Sequence, residues 1–339
     1  MMLALLISTA SCGKNDKGQP APTAPTNLVL NAVVNADNSG SVAFTASAEN
    51  AVSYDYDFGN GVYKTVANGI IDYTYNGSGQ QTYTVKVTAK SSSGLTASKS
   101  ANITVTISPA LVWSDEFNTD GAPDPTKWGY DTGNGDNGWG NQESQYYTNR
   151  TQNVSIANGI LKITVIKENY SGFAYTSARM LTKDKFAFKY GKIDVSAKLP
   201  VGGGTWPAIW MLGSNIASAG WPACGEIDIM EHKGNEPNKI YGTVHHPNHA
   251  GGNADGGFVM IQNETTAFHK YTLDWSPTQL RFFVDDQLFY TFPNAANLPF
   301  NHDFFLILNF AMGGHFGGAI DPAFNGASME VDYVRVYRN

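Results

Sequence analysis

The chain has 339 residues and a formal net charge of −7, with 15% charged residues, enough length for one large domain and one small one. A modest acidic excess without basic runs argues against nucleic acid or an anionic membrane surface as partners and leaves a neutral ligand open. With 12% aromatics, 35 glycines and no stretch holding a 3.6-residue apolar period, the composition points to an all-β extracytoplasmic protein.

Met1 to Ala10 is a short apolar run, too short to span a bilayer as a helix, followed by Ser11-Cys12-Gly13. It reads as a lipoprotein signal peptide over residues 1–11, although no Lys or Arg precedes the run. Cys12 is then the acylated first residue of the mature chain and its only link to a membrane. The expected location is the outer membrane, at the cell surface or facing the periplasm. Residues 12–26, with Pro20-Ala21-Pro22-Thr23-Ala24-Pro25-Thr26, make an extended, semi-rigid linker. With Cys12 lipidated, Cys224 has no disulfide partner; it reads as a small buried hydrophobe on the same strand as Glu226.

Short alternating runs follow: Ser41-Val42-Ala43-Phe44-Thr45, Ser53-Tyr54-Asp55-Tyr56-Asp57-Phe58 and Thr82-Tyr83-Thr84-Val85-Lys86-Val87-Thr88. Gly59-Asn60-Gly61 and Asn76-Gly77-Ser78-Gly79 separate them, the spacing of a small β-sandwich. The run Tyr56-Asp57-Phe58-Gly59-Asn60-Gly61, with Tyr73-Thr74-Tyr75 and Tyr83-Thr84-Val85, resembles a PKD domain. That implies an Ig-like sandwich over 27–108 serving as a spacer. A sugar platform of Tyr54, Tyr56 and Tyr63 is the lesser reading, and core packing the default. Ser108-Pro109-Ala110 marks the boundary.

From Leu111 onward nearly everything reads as strand, as in Ile160-Leu161-Lys162-Ile163-Thr164-Val165-Ile166 and Phe304-Phe305-Leu306-Ile307-Leu308-Asn309. A hairpin turns at Asp285-Asp286. Two packed, curved sheets with a concave cleft are expected. The telling segment is Glu226-Ile227-Asp228-Ile229-Met230-Glu231. Strand side chains alternate, so Glu226 and Asp228 share a face and Glu231 points away. One bulged residue between Asp228 and Glu231 would turn Glu231 back. Three converging acids repel one another and raise at least one pKa. Such an arrangement suits cleavage of a glycosidic bond by two carboxylates.

This Glu-x-Asp-x-x-Glu spacing resembles glycoside hydrolase family 16, in its β-bulge branch of laminarinases, lichenases and marine galactanases. Other segments fall in the order of that pattern: Gly138-Trp139-Gly140-Asn141-Gln142-Glu143, Ser177-Ala178-Arg179, Gly204-Thr205-Trp206-Pro207-Ala208-Ile209-Trp210, Tyr241-Gly242-Thr243-Val244-His245 and Met329-Glu330-Val331-Asp332-Tyr333. The resemblance implies a concanavalin A-like jelly roll over 110–339. It also implies a retaining endo-β-glucanase, a monomer acting on laminarin-type β-1,3-glucan and mixed β-1,3/1,4-glucan, with no catalytic cofactor. Glu226 would be the nucleophile, Glu231 the acid/base, and Asp228 the group that hydrogen-bonds the nucleophile and sets the protonation order. Retention needs the two working carboxyls about 5–5.5 Å apart.

On the same resemblance Trp206 and Trp210, and less firmly Trp221, stack on pyranose rings, and Arg179, Asn141 and Glu143 line the cleft. Thr132 to Gly138 lacks the spacing of a calcium loop and reads as a mobile cleft loop. Pro247 and Asn248 argue against a helical metal pair among His245, His246 and His249. His245 is expected in the cleft near the leaving-group side, and His246 at the surface. A structural calcium would fall to Glu116, Gly159 and Asp332. The rivals are a same-fold hydrolase of agar, porphyran or carrageenan, a transglycosylase, and a non-catalytic glycan-binding lipoprotein.

Overall fold

In Ser41–Glu49, Val42, Phe44 and Ala46 turn to one core while the residues between them face out, the period-two pattern of a half-buried strand. The computed structural model describes residues 21–77 and 79–338; the signal segment and Cys12 lie outside them. The chain divides into two compact units between Ser108 and Pro109.

In the smaller unit, Thr26–Val34, Ser41–Glu49 and Ile70–Thr74 form one sheet. Tyr63–Val66, Ser53–Asp57, Gly79–Lys90 and Thr96–Ile107 form the other. Phe44 of the first and Tyr56, Val85 and Val105 of the second share one core. Tyr54 and Tyr56 belong to that core at 6% and 1% exposure, which removes them from any sugar platform. Their hydroxyls are spent on backbone, Tyr54 accepting from the Ala48 N–H and Tyr56 donating to the Gly69 carbonyl. Tyr63 is left exposed by itself.

The larger unit stacks a ten-stranded sheet on a seven-stranded one, an all-β jelly-roll sandwich. The seven strands run, edge to edge, Asp255–Met260, Lys239–His245, Glu226–His232, Thr205–Gly213, Phe304–Met312, Arg179–Leu181 and Gly129–Asp131. Between the sheets Ile227, Ile229 and Met230 pack with Leu273, Phe282, Leu306 and Val334. Each such side chain contributes about 1.5–3 kcal/mol on burial. A one-residue slip would put this apolar set on the open face, so the register of the acid strand is fixed by its own hydrophobes.

Every residue of Phe304–Met312 is buried, because a second cluster of Leu181, Leu212, Cys224, Phe305 and Ile307 covers its outer face. Cys224 is buried as expected, but in the turn before the strand, with the strand itself beginning at Glu226. Asp285 and Asp286 turn their hairpin with φ of 48° and 65°, as a two-residue turn of that twist requires.

Candidate active site

Glu226 and Asp228 share the open face of the seven-stranded sheet by simple alternation. The pairing then slips. Trp210 lies opposite Asp228 while Ile209 lies opposite Met230, and on the other side Thr243 pairs with Asp228 and Tyr241 with Glu231. Gly242 alone therefore faces Ile229 and Met230. This is the bulge, and it returns Glu231 to the side of the other two acids. Only a glycine fits opposite it, since a Cβ on Gly242 would come within 2.9 Å of the Phe282 ring and 3.0 Å of Phe289.

Each glutamate is held by an indole. Trp221 Nε1 donates to Glu226 Oε2 at 3.1 Å, and Trp206 Nε1 donates to Glu231 Oε1 at 3.0 Å. Thr243 Oγ1 donates to the second Glu231 oxygen at 3.1 Å. His245 Nδ1 accepts the Gly251 N–H at 3.1 Å, which leaves the ring proton on Nε2. That nitrogen lies 3.2 Å from Asp228 Oδ2 and 3.5 Å from Glu226 Oε1. His245 thus serves the Glu226–Asp228 end, not the Glu231 side where the sequence placed it, because its strand register pairs it with Glu226.

Burial, then the neighbouring Asp228 charge, pushes the Glu226 carboxyl up to about 8. Burial and the nearby Glu231 hold Asp228 well above the carboxylate range. Burial also raises Glu231, against the pull of His245, Trp206 and Thr243. Asp228 Oδ2 is buried and makes no aligned hydrogen bond, a setting that favours the protonated acid over the anion. Three carboxyls this close titrate as a set, and at neutral pH the set retains a proton.

Around them, Trp206 leans on Phe316 with ring centroids 5.2 Å apart. Trp210 donates to Asn309 Oδ1 at 2.7 Å, and one of its faces carries the Arg179 guanidinium, 4.8 Å from the ring centroid. Arg179 also sits 4.4 Å over Trp139, with Nε 3.0 Å from Asp131 Oδ2. The cleft's arginine is therefore clasped between two indoles and neutralised by an aspartate.

Glu143 corrects the expectation of polar lining. It is 8% exposed, and its carboxylate receives Gln145 Nε2 at 2.6 Å, Tyr147 OH at 3.1 Å and Asn141 Nδ2 at 3.3 Å. It braces the loop from beneath and takes Asn141 with it. That loop is tightly wound, with positive φ at Asn137, Gly138, Trp139, Gly140 and Gln142. His246 is a second correction: it is buried at 5% and shares Asp255 with His249. Thr243, Asp131, Trp139 and Asn309 were not anticipated. The alternation Tyr241, Thr243, His245 could have revealed Thr243; the others depend on contacts between distant segments.

The family model described as Glycosyl hydrolases family 16 matches residues 141–335, more than half of the chain. The chain belongs to glycosyl hydrolases family 16. This family 16 hydrolase is 48% identical over 244 residues to the beta-glucanase of Rhodothermus marinus, spanning 67% of this chain and 85% of that one. It is 40% identical over 257 residues to glucan endo-1,3-beta-glucosidase A1 of Niallia circulans, spanning 67% of this chain but 38% of that longer protein. The crystal structure of the laminarinase from Rhodothermus marinus superposes with a TM-score of 0.65 at 47% identity, covering 68% of this chain and 98% of that one.

The corner assigned to calcium in this family 16 hydrolase fits a cation only in part. Gly159 ends the turn into Ile160–Tyr170, and Leu161 pairs with Val331, which brings that turn beside Asp332. Both Glu116 oxygens, however, are occupied by Arg335, whose Nε and Nη2 donate at 2.9 and 2.7 Å. A calcium ion there would share the Glu116 carboxylate with the guanidinium or displace it.

Proposed function

We propose that the larger unit is a retaining endo-β-glucanase that cuts β-1,3 linkages in laminarin-type glucan and in mixed β-1,3/1,4-glucan. The observation that carries this reading is the bulge opposite Gly242, which sets Glu226 and Glu231 on one face with Asp228 between them. In the first step a Glu226 oxygen bonds the anomeric carbon as the glycosidic C–O bond breaks, and Glu231 gives its proton to the departing oxygen. In the second, Glu231 takes a proton from water, whose oxygen displaces Glu226 from the sugar. Glu226 must give up its proton to attack, and against the burial that lifts it to about 8 the Trp221 N–H and the neighbouring His245 favour its anion. A protonated Asp228 carries no charge and so relieves the repulsion, and its hydroxyl would turn to Glu226 as that anion forms.

A neutral glucan fits the surroundings better than a sulfated galactan. The donors facing the acids are indole, hydroxyl and imidazole, and the arginine in the cleft is already paired with Asp131. Of the relatives, those of Rhodothermus marinus and Niallia circulans are named for glucan, whereas one 40% identical over 237 residues is a keratan-sulfate endo-1,4-beta-galactosidase of Sphingobacterium multivorum, which is why galactans belong in the test. A binding-only protein has no need of two glutamates each held for chemistry. The deciding experiment incubates the protein and its Glu226→Gln variant with laminarin, mixed-linkage glucan, agarose and carrageenan. Products would be chromatographed, and the first-formed anomer read by proton NMR. Glucan oligosaccharides of retained configuration from wild type alone support the reading. Products from galactans only, or an inverted first anomer, would overturn it.

The rest of the proposal rests on sequence. Residues 27–108 act as a PKD-like spacer, and Cys12 carries the lipid that anchors the chain, as a monomer, outside the cytoplasm. Membrane fractionation of a Cys12→Ala variant tests the anchor, since retention in the membrane would exclude it. Calcium at Glu116, Gly159 and Asp332 would raise the melting temperature over that in chelator, and Asp332→Ala would abolish the difference.

A further inference from the structure

One residue beyond His245 the strand Lys239–His245 runs into a tight hairpin. His246 and His249 exchange both backbone hydrogen bonds, at 2.9 and 3.0 Å, across Pro247 and Asn248. Their imidazoles stack on one side, centroids 5.4 Å apart and planes inclined by 20°. Asp255, the first residue of Asp255–Met260, meets both. Its Oδ2 lies 2.9 Å from His246 Nε2 and its Oδ1 2.9 Å from His249 Nδ1. The three groups can offer ligand atoms that all lie within 4.8 Å of one another.

We propose that His246 Nε2, His249 Nδ1 and the Asp255 carboxylate form a binding site for a divalent transition-metal ion such as zinc. Two imidazoles and one carboxylate are a borderline nitrogen and oxygen donor set that suits zinc over calcium or magnesium. Ligands at the tetrahedral angle, each about 2.0–2.1 Å from a zinc ion, stand about 3.3–3.4 Å apart, so the two imidazole–carboxylate contacts, hydrogen bonds of 2.9 Å as they stand, need open only by about half an ångström to admit the ion. The hairpin holds both imidazoles before any ion arrives, so little ordering is left to oppose binding. His246 is fixed against Phe292 and Phe300, with centroids 5.7 and 6.2 Å away. The His249 side chain is 47% exposed, which gives an ion a way in and leaves room for water to complete its coordination. His246 Nδ1 has no partner. An acceptor on the far ring nitrogen normally strengthens a ligating histidine, so micromolar affinity is expected and not the nanomolar affinity of a closed structural site. The same loop carries Gly251, whose N–H sets the His245 tautomer, so an ion here would stiffen the segment that orients a group beside Glu226.

The test uses full-length protein without a histidine tag, titrated with zinc chloride by isothermal calorimetry, with melting followed in parallel. The Glu226→Gln variant removes one member of the other candidate cluster, Glu226, Asp228 and His245. Wild type and Glu226→Gln are expected to take up one zinc per chain and to melt higher with it. His249→Ala and Asp255→Asn should bind at least tenfold more weakly and lose that shift. No uptake by wild type, undiminished binding by His249→Ala, or uptake abolished by Glu226→Gln would each overturn the assignment.

Discussion

On the outer sheet of the larger unit Glu330 lies between Lys162 and Lys198 at 3.5 and 3.0 Å, and Lys192 reaches Asp194 at 2.8 Å. Arg335 covers Glu116 at 2.7 Å. On the cleft sheet three acids crowd one strand, and among the described residues two indoles and a hydroxyl donate to them, with an imidazole 3.2 Å from Asp228. One residue type is driven in opposite directions: the Arg335 hydrogen bonds hold Glu116 below the usual carboxylate range, while burial lifts Glu226 to about 8. The outer acids are arranged for stability, and the cleft acids retain like-charge repulsion that a purely structural strand would have lost. Substitutions that make one sheet resemble the other should expose this difference.

The largest effect belongs to the two glutamates. Glu226→Gln should lower kcat by at least about 10⁴-fold and Glu231→Gln by about 10²–10⁴-fold, both with laminarin affinity kept. Steady-state kinetics on laminarin check this, and near-normal turnover in either variant would refute the two-carboxylate mechanism. Next in size is Trp206→Phe, which keeps an aromatic ring but removes the N–H donated to Glu231. A hydrogen bond to a charged group contributes about 1.5–3 kcal/mol, so a loss of about 10–100-fold in kcat is expected. A change in KM alone would show that Trp206 only binds sugar.

These roles differ in how far the residues themselves disclosed them. The alternation of Glu226 and Asp228 and the apolar trio Ile227, Ile229 and Met230 declare both the strand and its bulge, because only a bulge lets all three hydrophobes reach the core. Two packed sheets follow from the same periodicity repeated along the chain, and the family resemblance narrows them to a jelly roll. What escaped is what depends on contact between distant segments. Glu143 looked like cleft lining because its residue type is polar, yet Gln145, Tyr147 and Asn141 draw its carboxylate under the loop. His246 looked exposed beside Pro247 and Asn248, but the register with Asp255 buries it. Arg179 belongs to the cleft, though its clasp by Trp139, Trp210 and Asp131 appears only once three separate strands are assembled.

A smaller and opposite effect is expected on stability. The folded-state pKa of Glu226, about 8, lies above its ordinary value of 4.5. The folded protein therefore binds the proton more tightly, and that stabilising contribution is complete below pH 4.5 and lost as pH rises through 8. Glu226→Gln carries no such charge, so it should melt higher than wild type at pH 8–9 and converge with it near pH 5. Each kcal/mol corresponds to roughly 2–4 °C in a domain of this size. The alkaline limb of the activity profile should fall in the same interval, as the set loses the proton that Glu231 must deliver. Melting curves of the two proteins that stay parallel from pH 5 to 9 would show that Glu226 does not titrate there.

The smallest effect lies on the outer sheet. Glu330→Gln removes a charge that two lysines approach from half-exposed positions, and exposed pairs of this kind are worth about 0.2–1 kcal/mol. The variant should lose about that much stability at low salt and less at high salt, where screening has already weakened the pairs, with laminarin turnover unchanged. Because removing an acid held between two lysines costs stability and removing one crowded by other acids adds it, Glu330→Gln and Glu226→Gln should shift the melting temperature in opposite directions at pH 8.5. If both shift it the same way, the two sheets do not differ in how they hold charge.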